Sequence, residues 1–336
     1  MKFEDYWYII AESGELTKNT VLARCVLGET LACFRGADGM PTVLRDRCLH
    51  RNARLSSGRV RDGLLSCGYH GWTYDGCGSV VAVPSMGCQK SGQVSPPYPV
   101  VEQDGYIYVR LGSKTDAAIQ PFQMPHFREK GWKNLRLQNR FANNVSNCVE
   151  NFIDIPHTAF VHAGIFRTSR GERLRATVTR ADGAVHVSYR NEQANLGTYR
   201  WFLNPRGDGI RHTDSFYTPN VTSVRYDIGA KTFIITSQAV PVTGEETLVY
   251  TDLTYSFGLF NAIAAPFVRR HAQKIIDQDI AILAEQMAVI KRYGREFNHT
   301  AADAIHLCVD SIRDAIARGE DPRLLPPLTR DIEFYV

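Results

Sequence analysis

Apolar and polar positions follow two regimes along the chain. Up to about residue 111, apolar residues come in short, weakly alternating runs punctuated by Gly, Pro, Asn and Asp, the pattern of short strands and turns. Residues 6–10 and 20–35 alternate in this way. The segment ARCVLGETLACFRG reads as a hairpin, with Leu27, Leu31 and Phe34 among its inward candidates. Residues 42–46, 64–66, 72–74, 79–83 and 105–111 give further strands, and Pro84, Pro96, Pro97 and Pro99 punctuate the exit. Beyond residue 125 the periods lengthen. Residues 132–141 read as extended, and 143–160 have helical spacing through Val145, Val149, Phe152 and Ile153, broken or kinked at Pro156. Residues 173–255 read as consecutive strands, clearest at 184–190, 198–203, 221–226, 231–240 and 246–255, which predicts an antiparallel sheet. Helices are expected over 266–293 and 303–317, the second stopped by Gly319 and Pro322, before an extended tail. The polar stretch 112–125 separates the regimes. The expected fold class is α+β: an all-β domain over 1–115, then an α+β domain over 116–336 with an antiparallel sheet flanked by helices.

Composition narrows the function classes. With 44% hydrophobic and 22% charged residues, the 336-residue chain has material for a sizeable core. Its net charge of +4 comes from scattered Lys and Arg, which argues against nucleic acid as a partner. No apolar run approaches the roughly 18 residues of a membrane span. The N-terminal segment MKFEDYWYIIAESGEL lacks the features of a secretory signal, so a cytoplasmic location is expected. The eight Cys residues do not read as a disulfide framework in a chain of this length.

Two of those cysteines carry the first chemical motif. Cys48-Leu49-His50 and Cys67-Gly68-Tyr69-His70 together form C-x-H-x16-C-x2-H. Two thiolates and two imidazoles are the ligand set of a Rieske [2Fe-2S] centre, where His replaces Cys on one iron and raises the potential. A zinc finger also uses two Cys and two His but groups them by type, whereas here they alternate. Tyr69 and Trp72 flank the second loop, either to tune a cluster by hydrogen bonding or as packing. Arg51 and Arg54 make the first loop basic, suited to an acidic electron donor or simply solvated. Cys77 lies in the turn Asp75-Gly76-Cys77-Gly78 and, like Cys88, reads as a non-ligand.

The second motif is Asp154-Ile155-Pro156-His157, continuing to His162, of the form D-x2-H-x4-H. The five-residue spacing of the two His is too wide to stack them on a regular helix, so convergence needs an irregular turn. Two imidazoles and a carboxylate make the triad that holds Fe(II) with positions left open. Asp279 is the favoured carboxylate. Ile275, Ile276, Ile282 and Leu283 surround it at helical spacing, and a carboxylate on an apolar stripe is costly unless coordinated or paired. Asp277 sits nearer the stripe's edge. Asn151 has two open readings, support of this site or an ordinary helical polar residue.

Both motifs, their order and the chain length resemble the catalytic α subunit of Rieske non-haem iron oxygenases, over essentially the whole chain. CLHRNARLSSG and CGYHGWTYDGCG resemble that family's cluster signature, with Leu49, Asn52 and Gly68 where it usually has Pro, Gly and Pro. Asp279, Ile282, Leu283 and Gln286 fit its carboxylate segment, with Ala284 in place of the usual Glu. The resemblance implies that Cys48, His50, Cys67 and His70 hold the cluster, and that His157, His162 and Asp279 hold mononuclear iron. It implies that Asp154 carries electrons between centres across the subunit boundary of a homotrimer. The implied activity is activation of O2, with NAD(P)H reaching the chain only indirectly, through a ferredoxin and/or flavin-dependent reductase. Monooxygenation of a hydrophobic cyclic small molecule, by hydroxylation or oxidative demethylation, is the favoured reaction; cis-dihydroxylation and a non-enzymatic electron carrier are the alternatives. Trp201, Phe202, Leu203, Phe216, Tyr217, Phe233 and Phe257 are candidate pocket residues.

Overall fold

The structure is a computed structural model and describes residues 1–113, 116–163, 171, 173–190 and 209–336. It contains two compact units, one of Glu4–Gln123 and one of Met1–Phe3 with Met124–Val336.

The Glu4–Gln123 unit is built from short antiparallel strands. They are β1 (Tyr8–Glu12), β2 (Leu22–Val26), β3 (Glu29–Arg35), β4 (Pro41–Arg45), β5 (Arg59–Arg61), β6 (Leu64–Ser66), β7 (Thr73–Tyr74), β8 (Val80–Ala82), β9 (Val100–Gln103) and β10 (Tyr106–Val109). They form sheets ordered β2-β3-β4, β5-β6-β7-β8 and β1-β10-β9. The predicted hairpin is β2–β3, closed by Leu27 and Gly28 at φ 52° and 79°. That two-residue turn needs positive φ at both positions, so Leu27 serves the turn rather than the core. Leu31 and Phe34 are fully buried. Strand β5 escaped the pattern because Val60 is its one apolar residue. One core joins Phe34, Leu44, Leu55, Leu65 and Tyr74 to Cys48 and Cys67, so the two thiols are positioned by packed apolar neighbours.

In the second unit, β11 (Lys133–Phe141), β12 (Arg173–Ala181), β13 (Ala184–Arg190), β14 (Ile210–Tyr217), β15 (Val221–Ile228), β16 (Lys231–Pro241), β17 (Thr247–Ser256) and β18 (Leu328–Tyr335) form one antiparallel sheet. Its order is β11-β17-β16-β15-β14-β13-β12-β18, so the extended tail becomes an edge strand against β12. The expected strand 198–203 lies outside the described residues. Helix α1 (Val145–Phe152) is capped by the Asn144 side chain, which accepts from Asn147 N at 3.0 Å. It ends before Asp154, and Pro156 opens a separate 3-10 helix, Pro156–Ala159. The expected helix through 160 is thus two pieces, with the break supplied by Pro156 and the backbone at Ile153. Helix α2 (Asn261–Tyr293) begins five residues before Pro266 and carries it inside. Helix α3 (Ala304–Ala317) follows a 3-10 turn with a Thr300–Asp303 capping box.

The register identifies the sheet face beneath the helices. Directly paired residues share a face, and one row runs Val178–Val187–Asp214–Val224–Ile235–Leu253–Leu135 through seven strands. Leu135 packs with Tyr255 and Ala264 of α2, α3 contacts β12 and β13, and α1 contacts β15 and β16. Val178, Val187 and Leu253 are buried, whereas Val224, Tyr226, Phe233 and Ile235 on the middle strands are only half-buried. Phe216 and Phe233 lie on this face. Tyr217, one residue on from Phe216, lies on the other.

Candidate metal centres

The two Cys-His loops fold alike. Cys48 N donates to Ala53 O and Asn52 N to Cys48 O; Cys67 N donates to Trp72 O and Gly71 N to Cys67 O. In both loops, then, the Cys amide reaches five residues forward and the residue four places on reaches back. That last residue has left-handed φ, 59° at Asn52 and 73° at Gly71. Asn tolerates this conformation better than most residues, which accounts for its presence where the resemblance expects Gly. Arg47 Nε fastens Asn52 by donating to its Oδ1 at 2.7 Å. At Gly68 a Cβ would lie 2.8 Å from Ser57 O, so the turn at 55–58 packs directly against a bare backbone.

Cys48 and Cys67 are 1% and 3% exposed, while the His70 ring is open to solvent. The His50 and His70 rings meet edge-on at 4.5 Å, His50 stacks on Trp72 at 4.9 Å, and Tyr69 tilts over His70 at 3.8 Å. The thiols are thus inside, with His70 at the surface and His50 half-buried. His50 Nδ1 is buried with no hydrogen-bond partner. Loss of hydration, with His70 and Arg51 adding to it, holds His50 below the usual imidazole pKa, which favours the neutral form, the state that ligates. Burial likewise pushes the Cys67 thiol up, so the thiolate there needs a cation. An orphaned nitrogen and two buried thiols fit a [2Fe-2S] cluster.

The second constellation joins segments far apart in sequence. His157 and His162 flank the end of the 3-10 helix, and Asp279 lies midway along α2. Their ligand atoms all fall within 4.8 Å of one another. Asp279 Oδ1 is 3.1 Å from His162 Nε2 and 3.6 Å from His157 Nε2, and the two rings stand 5.1 Å apart at 75°. The outer nitrogens have acceptors: His157 Nδ1 lies 3.1 Å from Asp154 Oδ2, and His162 Nδ1 lies 2.9 Å from Gln278 Oε1. Protonation at Nδ1 leaves both Nε2 lone pairs facing one point. Asp279 is 6% exposed, and its Oδ1 is buried without a hydrogen bond. Burial disfavours a charged His162, but the Asp279 carboxylate together with the Gln278 side chain outweighs it and raises the pKa. A buried orphan carboxylate facing two aligned imidazoles fits a divalent iron site.

Asp277 is exposed and accepts from Gln273 Nε2 at 2.8 Å. The buried residues of α2 are Ala264, Asp279, Leu283 and Met287, while Ile282 is 42% exposed, so Asp279's stripe advances by four and leaves Ile282 at its outer edge. Gln286 Oε1 accepts from Asn143 Nδ2 at 3.0 Å, and Asn143 Nδ2 also donates to Leu283 O at 2.7 Å, tying α2 to the chain just before α1. Asn151 Oδ1 is buried without a partner. Two supporting residues escaped the sequence reading. Gln278 showed no feature beyond its place beside Asp279. Tyr74, not Tyr69, is the hydroxyl on the cluster side: its OH donates to Cys48 Sγ at 3.3 Å and accepts from Leu49 N at 2.9 Å, whereas Tyr69 is 65% exposed. Cys77 and Cys88 are exposed free thiols.

A domain with paired Cys-His loops, and another with a two-His, one-carboxylate iron site, define the class of Rieske non-haem iron oxygenases. Residues 6–99 match the Rieske [2Fe-2S] domain, and residues 141–317 match the vanillate O-demethylase oxygenase C-terminal domain. The second match covers over half of the chain, which therefore belongs to the vanillate O-demethylase-type branch of these oxygenases. The chain is similar to the oxygenase component of dicamba O-demethylase from Stenotrophomonas maltophilia, 32% identical over 185 residues, 54% of each chain. It is also similar to the chloroplastic chlorophyllide a oxygenase of Chlamydomonas reinhardtii, 32% identical over 164 residues, 48% of this chain and 25% of that one. The matched region thus spans from a quarter to about half of these relatives. Among solved structures, dicamba monooxygenase bound to dicamba superposes with a TM-score of 0.81 at 20% identity, covering 94% of this chain and 98% of that one. Pseudomonas putida CBB5 NdmA gives 0.75 at 19% identity over 97% and 96%. At these identities the superpositions show a shared fold.

Proposed function

We propose that the chain is the terminal oxygenase of a multicomponent system and monooxygenates a hydrophobic cyclic small molecule, by hydroxylation or oxidative demethylation. The observation that carries this reading is the convergence of His157, His162 and Asp279 with both outer imidazole nitrogens held. When bound, the cluster carries single electrons and the mononuclear iron activates O2. Cys48, Cys67, His50 and His70 would hold the first, and His157, His162 and Asp279 the second. Asp154 and Gln278 set the ring tautomers, and Asp279 supplies the negative charge.

Substrate binding falls to the helix-covered face of the large sheet. Its half-buried middle, Val224, Tyr226, Phe233 and Ile235, offers an apolar and aromatic floor that excludes water and orients a ring. At one border Asp214 accepts from Tyr189 OH at 2.8 Å and faces His212 Nε2 at 2.9 Å. His212 in turn stacks between Tyr189 and Tyr226 at 4.5 and 4.2 Å. That network fixes the aromatic rings at this border. Asp154 is assigned to electron transfer between centres in a homotrimer, and the donor is a ferredoxin and/or flavin-dependent reductase docking near the exposed His70 edge. None of the described helices is long and apolar enough to cross a membrane. The test is a panel of aromatic, alkaloid and terpenoid compounds, followed by oxygen uptake and mass spectrometry with a reducing partner. Tight coupling of uptake to a one-oxygen product from an apolar ring compound is expected. Coupling only to a small dicarboxylate, or two oxygens added across a ring, contradicts the reading.

A further inference from the structure

We infer that His306 is a positioning residue that holds the Asp154 carboxylate in the orientation its role requires; the inference rests on the electron-transfer reading of Asp154. The two carboxylate oxygens of Asp154 face different partners. Oδ2 accepts from His157 N and lies against His157 Nδ1, both at 3.1 Å. Oδ1 faces His306 Nε2 at 3.8 Å. The other nitrogen of His306, Nδ1, lies 3.7 Å from Asp303 Oδ1. Asp303 is itself fixed, because its Oδ2 accepts from Thr300 N at 2.5 Å and from Thr300 Oγ1 at 2.8 Å in the capping box. A continuous line therefore runs from an iron-site imidazole through Asp154 and His306 to the start of α3.

The backbone on either side of this line is anchored. Ile153 and Ile155 bracket Asp154 at 2% and 6% exposure, and Ala304 and Ile305 precede His306 at 6% and 3%. What remains to be set is the orientation of the Asp154 carboxylate about its last bond, which the Oδ2 contacts to His157 and the approach of His306 to Oδ1 define from opposite ends. The separations on either side of His306 exceed direct hydrogen bonds but lie within the range over which a protonated imidazole attracts a carboxylate. An imidazole between two carboxylates makes the oxygens of Asp154 inequivalent: one faces His306 and the other stays on His157. Without the ring, Oδ1 loses the attraction that orients it, and the carboxylate can turn away from His157 Nδ1. Nothing in the local sequence of His306 marks it; only the packing of α3 brings it to Asp154.

The test compares H306A, H306Q, D154N and the H306A/D154N double variant as holoenzymes carrying both metal centres. Iron content, KM, the EPR line shape of the ferrous site with nitric oxide, and single-turnover oxidation of the pre-reduced cluster are read on each. H306A is expected to keep iron content and KM, to broaden the nitrosyl signal, and to slow cluster oxidation about 10-fold, the lower end of the loss when a supporting partner of a metal-site residue is removed. H306Q, whose amide can face Asp154, should recover part of the rate. The double variant should be no slower than D154N, because His306 acts through Asp154. Wild-type oxidation in H306A beside a slow D154N overturns the inference and leaves the Asp154 reading intact; a D154N as fast as wild type overturns that reading instead. Loss of iron in H306A, or additive slowing in the double variant, gives His306 a separate role and also overturns the inference.

Discussion

Replacing Tyr74 by Phe removes one oxygen and two hydrogen bonds. The hydroxyl donates to Cys48 Sγ at 3.3 Å and accepts from Leu49 N at 2.9 Å. The ring is fully buried in the core that holds both cysteines, so Phe fills the same space. A hydrogen bond to a charged acceptor is worth about 1.5–3 kcal/mol. The bond strengthens when the cluster gains an electron, because the thiolate becomes more negative. Taking roughly a third of its worth as the difference between oxidation states gives about 0.5–1 kcal/mol, or about 20–40 mV for a one-electron couple. The Y74F potential should therefore fall by that amount, because the reduced state loses more than the oxidised state. The second lost bond leaves Leu49 N–H without its acceptor and should lower thermal stability by about 1–3 kcal/mol. The assay is a redox titration of the loaded protein followed by circular dichroism or EPR, with melting measured on the same sample. A potential unchanged or raised in a fully loaded Y74F protein refutes the reasoning, whatever happens to stability.

Other expectations follow from single residues. H157A should keep the cluster's EPR signal and lose the mononuclear iron, which metal analysis of the same sample reads. Q278A should weaken iron binding about 10- to 100-fold by freeing the His162 ring, measured by competition with a chelator. Burial, with the neighbouring Asp310 carboxylate, pushes Glu150 up to about 7 from 4.5; the folded state therefore binds the proton more tightly, and its stability contribution is lost as pH rises from about 4.5 through about 7, so melting curves of wild type and E150Q should diverge across that window. Cys33, fully buried and pushed up to about 12, should not react with a thiol reagent at neutral pH in the native protein, whereas exposed Cys77 and Cys88 should.

What the sequence disclosed was chemistry written in residue type and spacing. The alternating Cys-His pairs and D-x2-H-x4-H stand within short stretches, and ligation demands those side chains whatever surrounds them. Asp279 stood out because a carboxylate among Ile275, Ile276 and Leu283 is costly without a partner. The large antiparallel sheet was legible from alternation, although β12 and β14 were not singled out within it, nor β5 and β9 in the first unit. Features that depend on packing stayed hidden. The end of α1 at Phe152 is set by local backbone geometry before Pro156, so Asp154 grips His157 from a turn rather than from a regular helix. Gln278, Tyr74 and His306 carry no local signature, since their partners lie 116, 26 and 152 residues away. Among the pocket candidates, register places Phe216 and Phe233 beneath the helices and Tyr217 on the other face, while Trp201, Phe202 and Leu203 lie outside the described residues.

The central claim is that one chain holds a Rieske cluster and, separately, a mononuclear iron bound through Asp279. Iron and acid-labile sulfide counted on anaerobically reconstituted wild type, D279A and D277A test it most directly. Wild type should hold three irons and two sulfides per chain, the sum of one [2Fe-2S] cluster and one mononuclear site. D279A should hold two and two with its cluster spectrum intact, and D277A should match wild type. Full iron in a folded D279A protein, or loss of the mononuclear iron in D277A alone, would contradict the account.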